Sequence, residues 1–227
     1  MKRNLLTLLA AACMLVSCGT SKFFVGSTAA SVQPVALVQP YSYITNAVID
    51  IQTKYVEEAS LINQQLLTEE TQTLGLAVQT VVPFECSPVD MHDPVSIWLF
   101  SLSNVAANEA AHLIVPDDLK NAVAESGCRY GLVLVDVGYV KSAKQYVVEE
   151  AVGVGLSILE AVIDKDKAMI HGSSNSAHAN AMFSLIFDAT TGQVLWYGAR
   201  RQEDNFNPTD RSHMRRQLGY LFKDFLK

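Results

Sequence analysis

The chain has 227 residues, of which 49% are hydrophobic and 18% charged, with a formal net charge of −6. That composition excludes a disordered chain, and the length suits one elaborated domain with a real core. Phosphate backbones repel an acidic chain, and Arg200-Arg201 and Arg215-Arg216 are only local basic patches, so nucleic acid is not an expected partner.

Lys2 and Arg3 give a positive start, Leu5 to Val16 form an uncharged apolar run, and Ser17 precedes Cys18. The run is shorter than the ~20 residues of a spanning helix and no charged stop-transfer cluster follows, so residues 1–17 read as a signal peptide. Leu15-Val16-Ser17-Cys18 resembles the lipobox of bacterial lipoproteins. The resemblance implies that Cys18 is acylated and becomes the first mature residue. Gly19-Thr20-Ser21-Lys22 carries no acid, which in such families favours the periplasmic face of the outer membrane. Small and polar residues then suggest that 18–31 is the lipidated cysteine and a flexible tether, leaving 32–227 as a single α/β domain.

Val35 to Val38, bounded by prolines, reads as a first buried strand. Asn46 is expected to cap a helix reaching about Thr71, with Val48, Ile51, Tyr55, Ala59, Ile62 and Leu66 as its inward stripe. Gly75 to Phe84 reads as a second strand ending at proline. Asp93-Pro94 is a helix start: the carboxylate caps free amides and proline at the first position sacrifices no hydrogen bond. This helix should turn Trp98, Leu102 and Val105 inward. Pro116 ends the pattern and Asp117 begins a short helix through Leu119, Ala122 and Val123 that stops at Gly127. Arg129 to Val140 is the clearest strand, apolar enough to be covered on both faces.

Residues 141–179 form an excursion with helical spacing at Val148, Val152, Leu159 and Ile163, weakened by Gly153 and Gly155. Its apolar excess reads either as another covering helix or as a partner surface centred on Leu156 and Leu159. Ala181 to Phe187 and Gln193 to Ala199 flank Asp188-Ala189-Thr190-Thr191-Gly192, the composition of a hairpin turn. Asn207-Pro208 should begin a last helix with Met214, Leu218, Leu221 and Phe225 inward. The fold class expected is α/β: a mixed sheet covered by helices, early βαβα-type units, then an antiparallel hairpin and a C-terminal helix.

Cys128-Arg129-Tyr130-Gly131-Leu132-Val133-Leu134 and Phe187-Asp188-Ala189-Thr190-Thr191-Gly192-Gln193-Val194-Leu195-Trp196 resemble a group of outer-membrane lipoproteins. This group is similar to the curli secretion channel CsgG and the amino-terminal domain of TolB. The resemblance implies an envelope module whose sheet carries a hairpin with an Asp-x-x-Thr-Gly turn. No pair of strictly alternating ten-residue segments supports a membrane pore.

Catalytic chemistry finds little footing. Gly153-Val154-Gly155-Leu156-Ser157-Ile158 lacks the third glycine of a dinucleotide fingerprint, and the five histidines lack zinc spacing, so no cofactor or metal is expected. Asp136, within a buried strand, is the one oddly placed carboxylate; buried acids need partners and cluster at functional sites, although a strand end facing water would also explain it. Cys13 lies in the signal and Cys18 would carry lipid, so Cys86 and Cys128 remain, either as a disulfide or as two buried thiols. The function expected is a non-enzymatic binding or assembly module held to the membrane by acylated Cys18, with an envelope protein or further copies of itself as partner. A subunit of a secretion ring and a lipid-anchored hydrolase are the alternatives.

Overall fold

The computed structural model describes residues 21–24, 29–46, 54–84, 86, 93–140, 178–200 and 206–226. These form a mixed eight-stranded sheet with helices on both faces. Its strands are β1 (Ser21–Phe24), β2 (Val35–Val38), β3 (Tyr41–Asn46), β4 (Lys54–Tyr55), β5 (Val78–Val82), β6 (Tyr130–Val140), β7 (His178–Asp188) and β8 (Val194–Arg200). The helices are α1 (Glu57–Gln72), α2 (Pro94–Ser101), α3 (Asp117–Glu125) and α4 (Arg211–Phe222).

The sheet runs β1-β8-β7-β6-β2-β5, with β6 at its centre. One edge of β6 is shared: β2 pairs parallel with Tyr130 to Leu132, and β3 pairs parallel with Val135 to Val140. The break between them is Gln39-Pro40, where proline supplies no amide to the ladder. β7 pairs antiparallel along all of β6, and β8 returns beside β7. The connecting turn is the expected one: Asp188 accepts from the amides of Thr190 and Thr191 at 2.8 and 3.3 Å, and Gly192 takes φ 72°.

Strand alternation divides the core. Leu132, Leu134, Met182, Ile186 and Trp196 face α1 and α4, while Val133, Val135, Phe183, Leu185 and Tyr197 face the layer of α2 and α3. Met214, Leu218, Leu221 and Phe225 are all buried, as their spacing predicts, but α4 is capped by Asp210, whose carboxylate accepts from His213 N at 3.0 Å. Asn207-Pro208 instead makes the turn before it, with Asn207 Oδ1 accepting from Thr209 N. Asp93 caps α2 as expected, accepting from Val95 N and Ser96 N at 3.2 and 3.0 Å.

Expectations also change around α1 and near the start of the chain. The helix expected from Asn46 starts at Glu57, and Tyr41-Ser42-Tyr43-Ile44-Thr45 is a strand, in keeping with its aromatic and β-branched content. The buried residues of α1 are Ala59, Ser60, Asn63, Leu66, Leu67, Glu70 and Thr71, whereas Ile62 is 40% exposed. Within the stretch read as tether, Ser21–Phe24 is instead a strand pairing antiparallel with β8 from Ser21↔Ala199 to Phe24↔Trp196.

Cys86 and Cys128 are both free thiols, the second of the two readings the sequence left open. The parallel topology separates them. Cys128, just before β6, donates its thiol to Gln79 Oε1 at 3.5 Å, beside the start of β5, whereas Cys86 lies seven residues beyond Gln79, past the other end of that strand. The strand between them, Val78–Val82, alone spans on the order of 13 Å, well beyond the ~5.5 Å between Cα atoms that a disulfide needs.

Candidate functional site

Asp136 lies on the α1 face of β6 and is completely buried. The two strands beside it and the helix above build its surroundings. On β3, Ser42 is its register partner; on β7, Asn180 stands opposite Gly138, one side-chain step away on the same face. From α1, Asn63 reaches down from the stripe that a hydrophobic pattern would have filled with an aliphatic residue. Asn63 Nδ2 donates to Asp136 Oδ2 at 2.7 Å and also to the carbonyl of Pro208 at 2.8 Å. Asn180 Nδ2 donates to both carboxylate oxygens at 3.0 Å.

Burial pushes the Asp136 carboxyl up to about 7, against the opposing pull of the Asn63 and Asn180 amides. Neutral amides stabilise the anion without supplying a countercharge. The cluster also suits the protonated acid. Asn180 Oδ1 is buried without a hydrogen-bond partner, so a half-turn of that amide lets it accept from a protonated Asp136, while Pro208 fixes Asn63 in place. The arrangement therefore holds or releases one proton inside the sheet–helix interface.

A shallow hollow of about 270 Å³ opens beside the cluster, lined by Val56, Glu58, Ala59, Ile62, Val140, Asn207 and Thr209. It sits at the carboxyl end of β6, where parallel α/β sheets commonly present ligand sites. Asp136 does not line it, since α1 and the Pro208 turn close over the carboxylate. A second hollow, about 300 Å³, runs between edge strand β5 and α3 and is lined by Thr80, Val81, Val82, Pro83, Ala122, Glu125 and Ser126.

The residues singled out in the sequence are not brought together. Cys18, Leu156 and Leu159 lie outside the described residues. His213 Nδ1 accepts from Asn207 N and its ring packs on Phe206, while His112 is exposed in a 3-10 turn. Among the described residues no group of three or more His, Cys, Asp or Glu is placed to hold a metal, and no helix is long and apolar enough to cross a membrane. Asn63 and Asn180 were missed as partners of Asp136. Their only sequence signal is an amide where a stripe or strand pattern calls for an apolar residue.

No family model and no curated protein matches the chain, so the likeness to the TolB and curli-channel group rests on the two short stretches alone. Its structural neighbours are PelC and DUF4136 family proteins. A PelC dodecamer structure from Paraburkholderia phytofirmans aligns with a TM-score of 0.41 at 9% identity, covering 92% of this chain and 96% of that one. A DUF4136 family protein from Bacteroides thetaiotaomicron aligns with a TM-score of 0.32 at 6% identity, covering 92% of this chain and 97% of that one.

Proposed function

We propose that this chain is a lipid-anchored envelope protein acting as a non-enzymatic binding or assembly module at the periplasmic face of the outer membrane. The observation that carries the non-enzymatic reading is the enclosure of Asp136. The one carboxylate whose strand position suggested chemistry is sealed under α1, with both oxygens held by amides, and neither hollow reaches it. A general acid or base must lie within hydrogen-bond reach of its substrate, directly or through one water. Recognition instead has an open surface in the groove between β5 and α3, at the end of the strand order, where an extended partner segment can lie beside the edge strand.

Photo-crosslinkers at Thr80 and Ser126 of the membrane-held protein test this reading. The expected product is a discrete adduct, with one protein or with a second copy of the chain, that is lost on Val81→Pro. Absence of any adduct at these positions, together with hydrolysis of an ester or amide panel that Asp136→Asn abolishes, would replace it with the hydrolase.

A further inference from the structure

We infer that the outer flank of α4 with its C-cap residue, Arg216, Tyr220 and Lys223, lies against the phosphate headgroups of the bilayer that holds acylated Cys18. The inference rests on the reading of Cys18 as the anchor and adds the face by which the domain meets the membrane.

The first support is reach. Three residue steps separate Cys18 from Ser21, where β1 begins, so the anchor lies at most ~10 Å from the sheet. A domain so close to its acyl chains meets the headgroup layer with a fixed side. That side is set by β1, which pairs with β8 through Ser21↔Ala199 and Lys22↔Gly198.

The second support is what covers the same stretch of β8. The indole of Trp196 stacks on Phe222 at 4.9 Å between centroids and packs on Phe225 at 5.2 Å, and the Arg200 guanidinium lies 4.4 Å over the ring of Tyr220. The carboxyl-terminal half of α4 is thus layered on the β1–β8 ribbon.

Charge separates the two flanks of α4. Arg211 and Arg215 turn toward α1 and are taken up there: Arg211 pairs with Glu69 and Glu70, and Arg215 Nε donates to Glu70 Oε2 at 2.7 Å. Arg216, Tyr220 and Lys223, at i, i+4 and i+7, turn the other way. Among the described residues neither Arg216 nor Lys223 has a carboxylate partner; Arg216 lies over the Phe206 ring at 5.0 Å, and Tyr220 is 46% exposed. Two cations flank an exposed tyrosine, with the exposed Asp224 beside Lys223, and the positive excess that remains, on a chain of net charge −6, matches an anionic interface where amphipathic aromatics also settle. Because β1 and β5 end the strand order on opposite sides, this placement leaves the β5 groove turned away from the bilayer.

The test uses the full lipidated protein carrying Tyr220→Trp, reconstituted into phosphatidylethanolamine–phosphatidylglycerol vesicles containing headgroup-spin-labelled lipid. Flotation reports the anchor, and emission in excess of the wild-type protein reports the face. The variant is expected to float, with its added emission quenched severalfold more than that of the native tryptophans. Adding Arg216→Glu and Lys223→Glu is expected to relieve the quenching without loss of flotation. Flotation without quenching, or quenching that survives both reversals, overturns the proposed face and leaves the anchor standing. Failure to float, with no lipid mass on Cys18, removes the anchor reading and this inference with it.

Discussion

Asn63 and Asp136, 73 positions apart, meet at 2.7 Å between α1 and β6, and the same Asn63 amide reaches Pro208 O. One side chain therefore ties the helix to the centre of the sheet and to the turn that launches α4. The carboxylate it holds is 0% exposed and titrates near 7.

Because that folded-state value lies above the unfolded 3.8, the folded chain binds the proton more tightly than the unfolded one. The contribution to stability is full below pH 4 and is lost as pH rises through about 7. Asp136→Asn keeps the shape and removes the charge, so it is expected to raise stability at pH 8 by on the order of a few kcal/mol and to flatten the profile between pH 4 and 8. Denaturant unfolding at pH 5 and pH 8 checks it; equal slopes in both proteins would show that Asp136 does not change its protonation there.

Glu70 has the opposite sign. Its side chain is 1% exposed, and the hydrogen bond from Arg215, then that from Arg211, holds its carboxyl below the usual range. Stability from this pair is present above the unfolded value of 4.5 and is lost as pH falls through the lowered folded value. Arg215→Ala is expected to lower Tm by several degrees at pH 7 and by less at pH 3, because below the unfolded value of 4.5 the contribution of the pair falls with pH. A loss of equal size at both pH values would mean that the arginine acts through packing of its stem.

Much of the fold is written in local signals. Asp93-Pro94, the Asp188–Gly192 turn and the Met214, Leu218, Leu221, Phe225 stripe each draw on neighbours within a few residues, and each lies where the pattern puts it. The register of α1 was not legible because four of its seven buried residues, Ser60, Asn63, Glu70 and Thr71, are polar. The Asn63 amide nitrogen is taken up by Asp136 and Pro208, and Glu70 by Arg211 and Arg215, partners 73 to 145 positions away. A hydrophobic-stripe reading turns such residues to water and rotates the helix, which is how Ile62 comes to be placed inward. Asp136 stood out because a lone acid interrupts an apolar strand; its two amides did not, since Asn carries no comparable penalty on the surface.

Cys86 and Cys128 are expected to be two reactive thiols in protein denatured without reductant. Burial pushes the Cys86 thiol above its usual value, so in the native protein it should react slowly with a thiolate-selective reagent at neutral pH. Mass spectrometry of protein purified and alkylated without reductant counts them. Loss of two mass units from the reduced chain would require the ends of β5 to come together, and thus a different strand order.

Gly198 provides a packing test at the place where the β1–β8 ribbon meets α4. A Cβ there would stand 2.6 and 2.7 Å from two ring carbons of Trp196 and 3.1 Å from Leu221 Cδ1. The indole has little freedom to yield, being stacked on Phe222 and packed on Phe225, and Leu221 is itself fully buried in α4. Gly198→Ala is therefore an overpacking substitution and is expected to cost about 1–3 kcal/mol. Gly219, on the outer side of the same helix, would have nothing within 4 Å of an added Cβ, so Gly219→Ala should stabilise by up to about 1 kcal/mol through helix propensity. Urea unfolding of the two variants beside the parent separates the cases: a loss at Gly198 with a gain at Gly219 places the strain at the Trp196 contact. A Gly198→Ala protein as stable as the parent would mean that α4 shifts freely on β8, and the stacked arrangement of Trp196, Phe222 and Phe225 would then be wrong.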